Sequence, residues 1–204
     1  MATLTGRQAD LDRLTAGIRA AQDGASVIVV EGPAGIGKTS LLRAGLADAK
    51  PMGLTVLHAS PLQSEVGYAY ATLGDLLAAQ LPELVGRIAP AHLAALRRAL
   101  GAVAHDQRAV DPLGAADEAV DEQLIATATL HALRALAARH RLIVAIDDAP
   151  WVDQSSRTAL SYALRRLGDV NGGFVLTQRS DAAGGPLPAT SPSVKQNLPS
   201  ACAM

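Results

Sequence analysis

The eight residues Gly32-Pro33-Ala34-Gly35-Ile36-Gly37-Lys38-Thr39 have the spacing Gly-x-x-x-x-Gly-Lys-Thr, with Ser40 directly behind them. Residues of these types at this spacing can hold a polyphosphate. Glycines let the backbone curl until several N–H groups point into one concavity. A helix starting there adds its free N–H groups and the positive end of its dipole. On this reading residues 32–40 form the anion site, Lys38 reaches the outer phosphates and the Thr39 hydroxyl holds Mg²⁺. The competing reading is a glycine turn that happens to precede a lysine. Average residue usage makes the four fixed positions coincide in about one chain of this length in a hundred. The flanks decide between the two. Val27-Ile28-Val29-Val30 is the β-branched run of a buried strand, and Leu41, Leu42 and Leu46 recur at helical spacing. Strand, glycine loop and helix are the setting the chemistry needs.

A second group of candidates ends an apolar run. Leu142-Ile143-Val144-Ala145-Ile146 leads into Asp147-Asp148. So uniform a run suits a parallel strand covered on both faces. Ligands of open parallel sheets sit at the carboxyl ends of the strands, so both acids are expected on the edge that carries the glycine loop. There Asp147 would hold Mg²⁺, directly or through water, and Asp148 would orient or deprotonate an attacking water. Alone, the pair would read as the opening of a turn, where Asp is common. The glycine loop shifts that balance. A third candidate is Arg179, which follows Phe174-Val175-Leu176-Thr177 and Gln178. A cation at that strand end would favour charge developing on a phosphate.

Other residues that could do chemistry have plainer readings. His58 ends an expected strand with no metal-ligand spacing around it, and His92, His131 and His140 fall among helical repeats. Trp151, the single tryptophan, is expected to pack rather than bind. Arg165 and Arg166 fit a solvated helix end better than an arginine finger for a neighbouring subunit. Arg7, on the residues alone, is a solvated surface charge.

These candidates need a scaffold, and the spacing supplies one. Thr5 to Ala21 predicts a helix with Leu11, Leu14 and Ile18 on one face and a Thr5/Gln8 capping box. Asp23-Gly24 turns into the first strand. Residues 51–53 make a turn and Leu54–His58 a second strand. Ser60 to Tyr70 reads as a loop broken by Pro61 and Gly67. Helices are predicted from about Leu73 to before Pro82, after Pro90, and from Asp117 to His140, with 105–114 as a surface loop. Asp153 suits the N-cap of a helix over 154–167, and Gly172-Gly173 a turn before the fourth strand. From Asp181 the composition changes. Residues 182–204 are rich in Pro, Gly, Ser and Ala without periodicity, and predict a disordered tail behind a domain spanning 1–181. The fold class is therefore α/β: a three-layer, mostly parallel sheet between helices, with no fifth strand or helical lid visible.

Composition narrows the function classes. A net charge of −1 over 204 residues gives no electrostatic case for nucleic acid or an anionic membrane. No apolar run approaches the roughly 18 residues of a membrane span. The polar start lacks a signal peptide's apolar core, and one cysteine excludes an internal disulfide, so the cytoplasm is the default location.

Taken in order, Thr5-Gly6-Arg7, the glycine loop, Ile143–Asp148 with Trp151 and Asp153, and Thr177-Gln178-Arg179 resemble a known module. It is the AAA-like ATPase unit of STAND-type proteins, including the large ATP-binding LuxR-type transcriptional regulators. The resemblance covers about residues 1–180. The Asp-Asp-x-x-Trp-x-Asp pattern is its more specific part. It implies ATP as ligand, places Arg7 near the nucleotide base and makes Arg179 a γ-phosphate sensor. Such regulators continue through a fifth strand, lid, winged-helix-like segment, repeats and a DNA-binding helix-turn-helix. None of these is visible here, so the resemblance implies an N-terminal piece without direct DNA binding, working with C-terminal domains or a protein partner. The expected function is a nucleotide switch with slow Mg-dependent ATP hydrolysis, since a site without a lid excludes water poorly. The alternatives are a P-loop phosphotransferase acting on a small molecule, and an inert fragment or binding module.

Overall fold

The computed structural model describes residues 6–20, 26–49, 51–105, 121–167, 172–180 and 193–197. Five strands, β1 (Ser26–Gly32), β2 (Leu54–Ala59), β3 (Arg141–Ile146), β4 (Gly172–Arg179) and β5 (Ser193–Asn197), form one sheet in the order β2-β3-β4-β1-β5. Every pairing is parallel. Parallel neighbours need crossovers. The described residues supply helices for them: α1 (Gln8–Ala20), α2 (Lys38–Ala49), α3 (Ala71–Leu77), α4 (Pro90–His105), α5 (Glu122–Ala137) and α6 (Gln154–Leu164).

The apolar runs of β1, β3 and β4 resolve into two cores because successive side chains point to opposite faces. Ile28, Val30, Ile143, Ala145 and Val175 pack with Leu14 and Ile18 of α1 and Leu41 and Leu42 of α2. Val27, Val29, Leu142, Val144, Ile146, Phe174 and Leu176 meet the apolar sides of α3, α4, α5 and α6 on the other face. The result is the three-layer α/β arrangement that the uniform apolar runs predict.

Several boundaries differ from expectation. Helix α5 starts at Glu122, where the Asp121 carboxylate accepts from the N–H groups of Gln123 and Leu124, both at 3.0 Å. Helix α6 stops at Leu164, closed by bonds from Arg165 N to Ser161 O and from Arg166 N to Ala163 O. Gly172-Gly173 belongs to β4 rather than to a turn. A Cβ on Gly172 would overlap the Leu142 carbonyl of β3, so the strand starts with glycine for lack of room. The fifth strand is present, contrary to expectation: Val27–Glu31 of β1 pair with residues 193–197. The segment Ser-Val-Lys-Gln-Asn is polar and lacks the alternation that would announce it. An edge strand needs only backbone pairing on one side. Thr5 and Ala21, the Asp23-Gly24 turn, residues 106–114 and the rest of the expected tail lie outside the described residues.

Candidate functional site

The phosphate-loop candidate leaves β1 at Gly32 and enters α2 at Lys38. Gly35 and Gly37 have φ of 72° and 93°, a region that costs other residues about 1–2 kcal/mol. Those two glycines let the loop fold back over the start of the helix. Lys38 is buried at 6% exposure, and its Nζ donates to the carbonyls of Gly32 at 3.0 Å and Pro33 at 2.9 Å. An ammonium has three N–H donors, so one remains beyond these two bonds. The loop therefore fixes its own cation at the mouth of the curl.

Register brings the acids to the same edge. Gly32 pairs with Arg179 across β1 and β4, and Ile146 with Leu176 across β3 and β4. The residues following β1 and β3 thus flank the end of β4. Asp147 is 5% exposed, its N–H donates to Ala59 O at 2.9 Å, and its Oδ1 accepts from the Thr177 hydroxyl at 2.5 Å. The same Thr177 oxygen accepts from the Asp148 N–H at 2.8 Å. One buried hydroxyl on β4 therefore fixes the side chain of the first acid and the backbone of the second.

Asp148 stands in the left-handed region, φ 52° and ψ 55°. Aspartate tolerates this better than most residues. Such conformations persist where surrounding structure holds them, and they cluster at functional sites. Burial, and then the adjacent charge of Asp147, push the Asp148 carboxyl above the usual aspartate range, while Lys38 and Arg179 pull it part of the way back. The glycine-loop cation and the β4 cation both act on this carboxyl, which ties the three candidate regions into one electrostatic unit.

They share one cleft of about 300 Å³, lined by Ala34, Gly35, Gly37, Lys38, Thr39, Asp148, Trp151 and Arg179. Gly32, Pro33, Ile36 and Ser40 belong to the loop or the first turn of α2 without lining the cleft, and Asp147 sits behind it, bonded to Thr177. Arg7 precedes α1, pairs with Asp10 at 4.0 Å and does not line the cleft, and at 15% side-chain exposure it is largely buried rather than the solvated charge expected from the residues alone. Trp151 lines the cleft, where simple packing was expected. Its place follows from the 3-10 turn Ala149–Trp151, which carries the ring back toward the loop. Thr177 entered only as part of the resemblance and was given no role, because one threonine in an apolar strand has no distinguishing spacing. A polar side chain in the last buried position of a central strand, beside two acids, is the signal that could have found it.

The remaining candidates do not line the cleft. His58 Nε2 lies 3.4 Å from Ser60 Oγ, and His140 Nε2 lies 2.9 Å from Glu83 Oε1. Arg166 stacks on the Tyr162 ring at 3.9 Å, and its carbonyl accepts from Arg134. Asp153 caps α6 by accepting from Ser156 N at 2.8 Å, as expected. It also accepts from Tyr70 N at 2.9 Å and Thr72 N at 3.0 Å, which no local pattern announces.

Residues 3–176 match the AAA ATPase domain. The chain belongs to that family. Membership implies nucleotide binding. This AAA ATPase domain is similar in fold to several solved structures. One is a signal transduction ATPase with numerous domains (STAND) carrying a tetratricopeptide repeat sensor, PH0952 from Pyrococcus horikoshii. It has 18% identity and a TM-score of 0.46, over 97% of this chain and 23% of that one. Another is a DNA replication initiation factor, at 14% identity and a TM-score of 0.43, over 93% of this chain and 46% of that one. A third is the ORC2 protein of Aeropyrum pernix, at 18% identity and a TM-score of 0.41, over 88% and 43%. The chain spans less than half the length of each of these three. No curated protein sequence matches it significantly. None of the helices among the described residues is long and apolar enough to cross a membrane.

Proposed function

We propose that this AAA ATPase domain is an ATP-dependent switch that hydrolyses Mg-ATP slowly. The observation that carries the reading is the shared cleft, in which Lys38, Thr39, Asp148 and Arg179 meet at the curled loop. Phosphate oxygens would take the loop N–H groups and the remaining Lys38 donor. The Thr39 hydroxyl and the Asp147 carboxylate are hard oxygens of the kind that would hold Mg²⁺. Bound there, Mg²⁺ would neutralise phosphate charge. Asp148, with its raised proton affinity, would accept the proton of an attacking water. Arg179 would stabilise charge on the transferred phosphoryl group. Slow turnover belongs to the reading, because a bound state that controls other surfaces must persist.

The Asp147-Asp148-x-x-Trp151-x-Asp153 pattern supports a finer version. The chain would be the ATPase part of a STAND regulator of the LuxR type, passing its nucleotide state to other domains or a protein partner, with no DNA contact of its own. In this version Arg7, just before α1, would lie near the nucleotide base, as the resemblance implies.

Isothermal titration of the chain with ATP and GTP, with and without Mg²⁺, tests the core claim. The Lys38→Ala variant should lose affinity for Mg-ATP by about a hundredfold, the value of a buried charge-assisted bond pair. An unchanged affinity would remove Lys38 and the loop from the assignment. Product analysis separates hydrolysis, which releases free phosphate, from transfer to an acceptor.

A further inference from the structure

Asp148 and Trp151 reach the cleft from one short turn, and α6 supports that turn. Arg157 lies one turn into α6. Its Nη2 donates to the carbonyl of Ala149 at 3.0 Å and to that of Pro150 at 3.4 Å. These two residues are the ones between Asp148 and Trp151. Pro150 has no N–H, so its own peptide nitrogen cannot tie the turn down. Within the turn, Trp151 N donates to Asp148 O at 2.9 Å and Val152 N to Ala149 O at 3.2 Å. Those bonds shape the turn. Ala149 and Val152 anchor it by packing in the core, Thr177 holds its entry through the Asp148 N–H, and Arg157 holds the two carbonyls at its centre.

The helix that carries Arg157 is itself anchored. At its start the Asp153 carboxylate accepts from Tyr70 N, Thr72 N and Ser156 N, and Ser156 Oγ accepts from Leu73 N at 2.9 Å. Arg157 is partly buried and does not line the cleft. Its Nη2 is spent on neutral carbonyls of the turn, which a solvated surface charge would leave to water. The two N–H groups of Nη2 serve the two neighbouring carbonyls from one rigid plane, an orientation that the rotatable ammonium of a lysine does not fix.

We propose that Arg157 is a positioning residue: by holding the Ala149 and Pro150 carbonyls it keeps the Asp148 carboxylate and the Trp151 ring in place at the cleft. Packing of Ala149 and Val152 holds their side chains but not the peptide carbonyls, so without Arg157 the left-handed aspartate has room to relax toward an ordinary backbone conformation. The kinetic consequence rests on the hydrolytic reading above, and the structural one does not.

Two readouts on the full chain test this, using Arg157→Ala and Arg157→Lys. The first is acrylamide quenching of the single tryptophan, without nucleotide. Loosening the turn should raise the Arg157→Ala quenching constant about twofold, with Arg157→Lys between it and the wild type, while the melting transition stays cooperative. The second is single-turnover hydrolysis of saturating Mg-ATP. Its rate should fall by about tenfold to a hundredfold in Arg157→Ala, the scale of a misplaced catalytic group, with Mg-ATP affinity little changed. Wild-type quenching in both variants overturns the proposal, as does a parallel loss of nucleotide affinity and cooperative melting. Should Arg157→Ala fail to fold, Arg157→Lys carries both readouts by the same criteria. A wild-type chain that binds but never hydrolyses ATP removes the hydrolytic reading, and the quenching result then decides the role of Arg157 by itself.

Discussion

Asp148 gathers the chemistry of the cleft into one side chain. It combines a left-handed backbone, a raised proton affinity and a place beside Lys38 and Arg179. The sign of its pH dependence follows from that. A carboxyl whose folded-state pKa is raised destabilises the folded chain when ionised. Its penalty is absent below the unfolded value of about 3.9 and grows as pH rises through the window up to the folded value. Asp148→Asn should therefore melt higher than the wild type at pH 7, and the gap should close as pH falls toward about 4. Asparagine also accepts the left-handed conformation, so the geometry is kept. The same variant should keep Mg-ATP affinity while its turnover falls by about a hundredfold or more, the scale of a lost general base. In the wild type, turnover should fall on acidification above the ordinary aspartate range, and this limb should vanish in Asp148→Asn. Equal turnover in both chains would take Asp148 out of the mechanism. At this scale the loop and both acids were legible because their chemistry dictates fixed spacings. Thr177, Trp151 and Arg157 were not, because each matters through a neighbour that only the fold supplies.

Asp153 shows how elements are tied without any local signature. Its buried carboxylate caps α6 and also accepts from Tyr70 and Thr72 at the start of α3, more than 80 residues earlier. Tyr70, the residue before α3, is left-handed with φ 63° and has no side-chain cap of its own, so this borrowed cap does the work. Asp153→Ala would strand three buried N–H groups and should cost about 3–5 kcal/mol, read as a lower urea midpoint. Asp153→Asn keeps one carbonyl oxygen but turns an amide group toward one of the donors, and should cost about 1–3 kcal/mol. Equal midpoints for all three chains would show that α3 is held by packing alone. Elements with strong apolar patterns, such as β1, β3 and α6, were readable because burial on two faces or one stripe leaves a period in the residues. The start of α5, the extent of β4 and the whole of β5 were not. They depend on a cap, a tight backbone approach and an edge pairing, none of which writes a period.

At the scale of the whole molecule, the site joins the two cores. The loop leads into α2, which packs with α1 on one face of the sheet. The Asp148 turn leads into α6, which packs with α5 on the other. The end of β4, with Thr177 and Arg179, lies between them. A ligand held from both sides at once should stabilise the molecule as a unit. At a concentration one hundred times its dissociation constant, a ligand that binds only the folded chain contributes about 2.7 kcal/mol. In a domain of this size each kcal/mol moves the midpoint by about 2–4 °C, so saturating Mg-ATP should raise it by about 5–10 °C. The rise should appear in one cooperative transition, because both cores share the sheet. On the proposed reading it should be lost in Lys38→Ala, which would remove a phosphate contact, and kept in Asp148→Asn, which would remove a group needed only for turnover. An equal rise in Lys38→Ala would point to an ionic effect of the additive. A transition that splits, with only one half moving, would show that the nucleotide is held by one layer and that the cleft does not bridge the sheet.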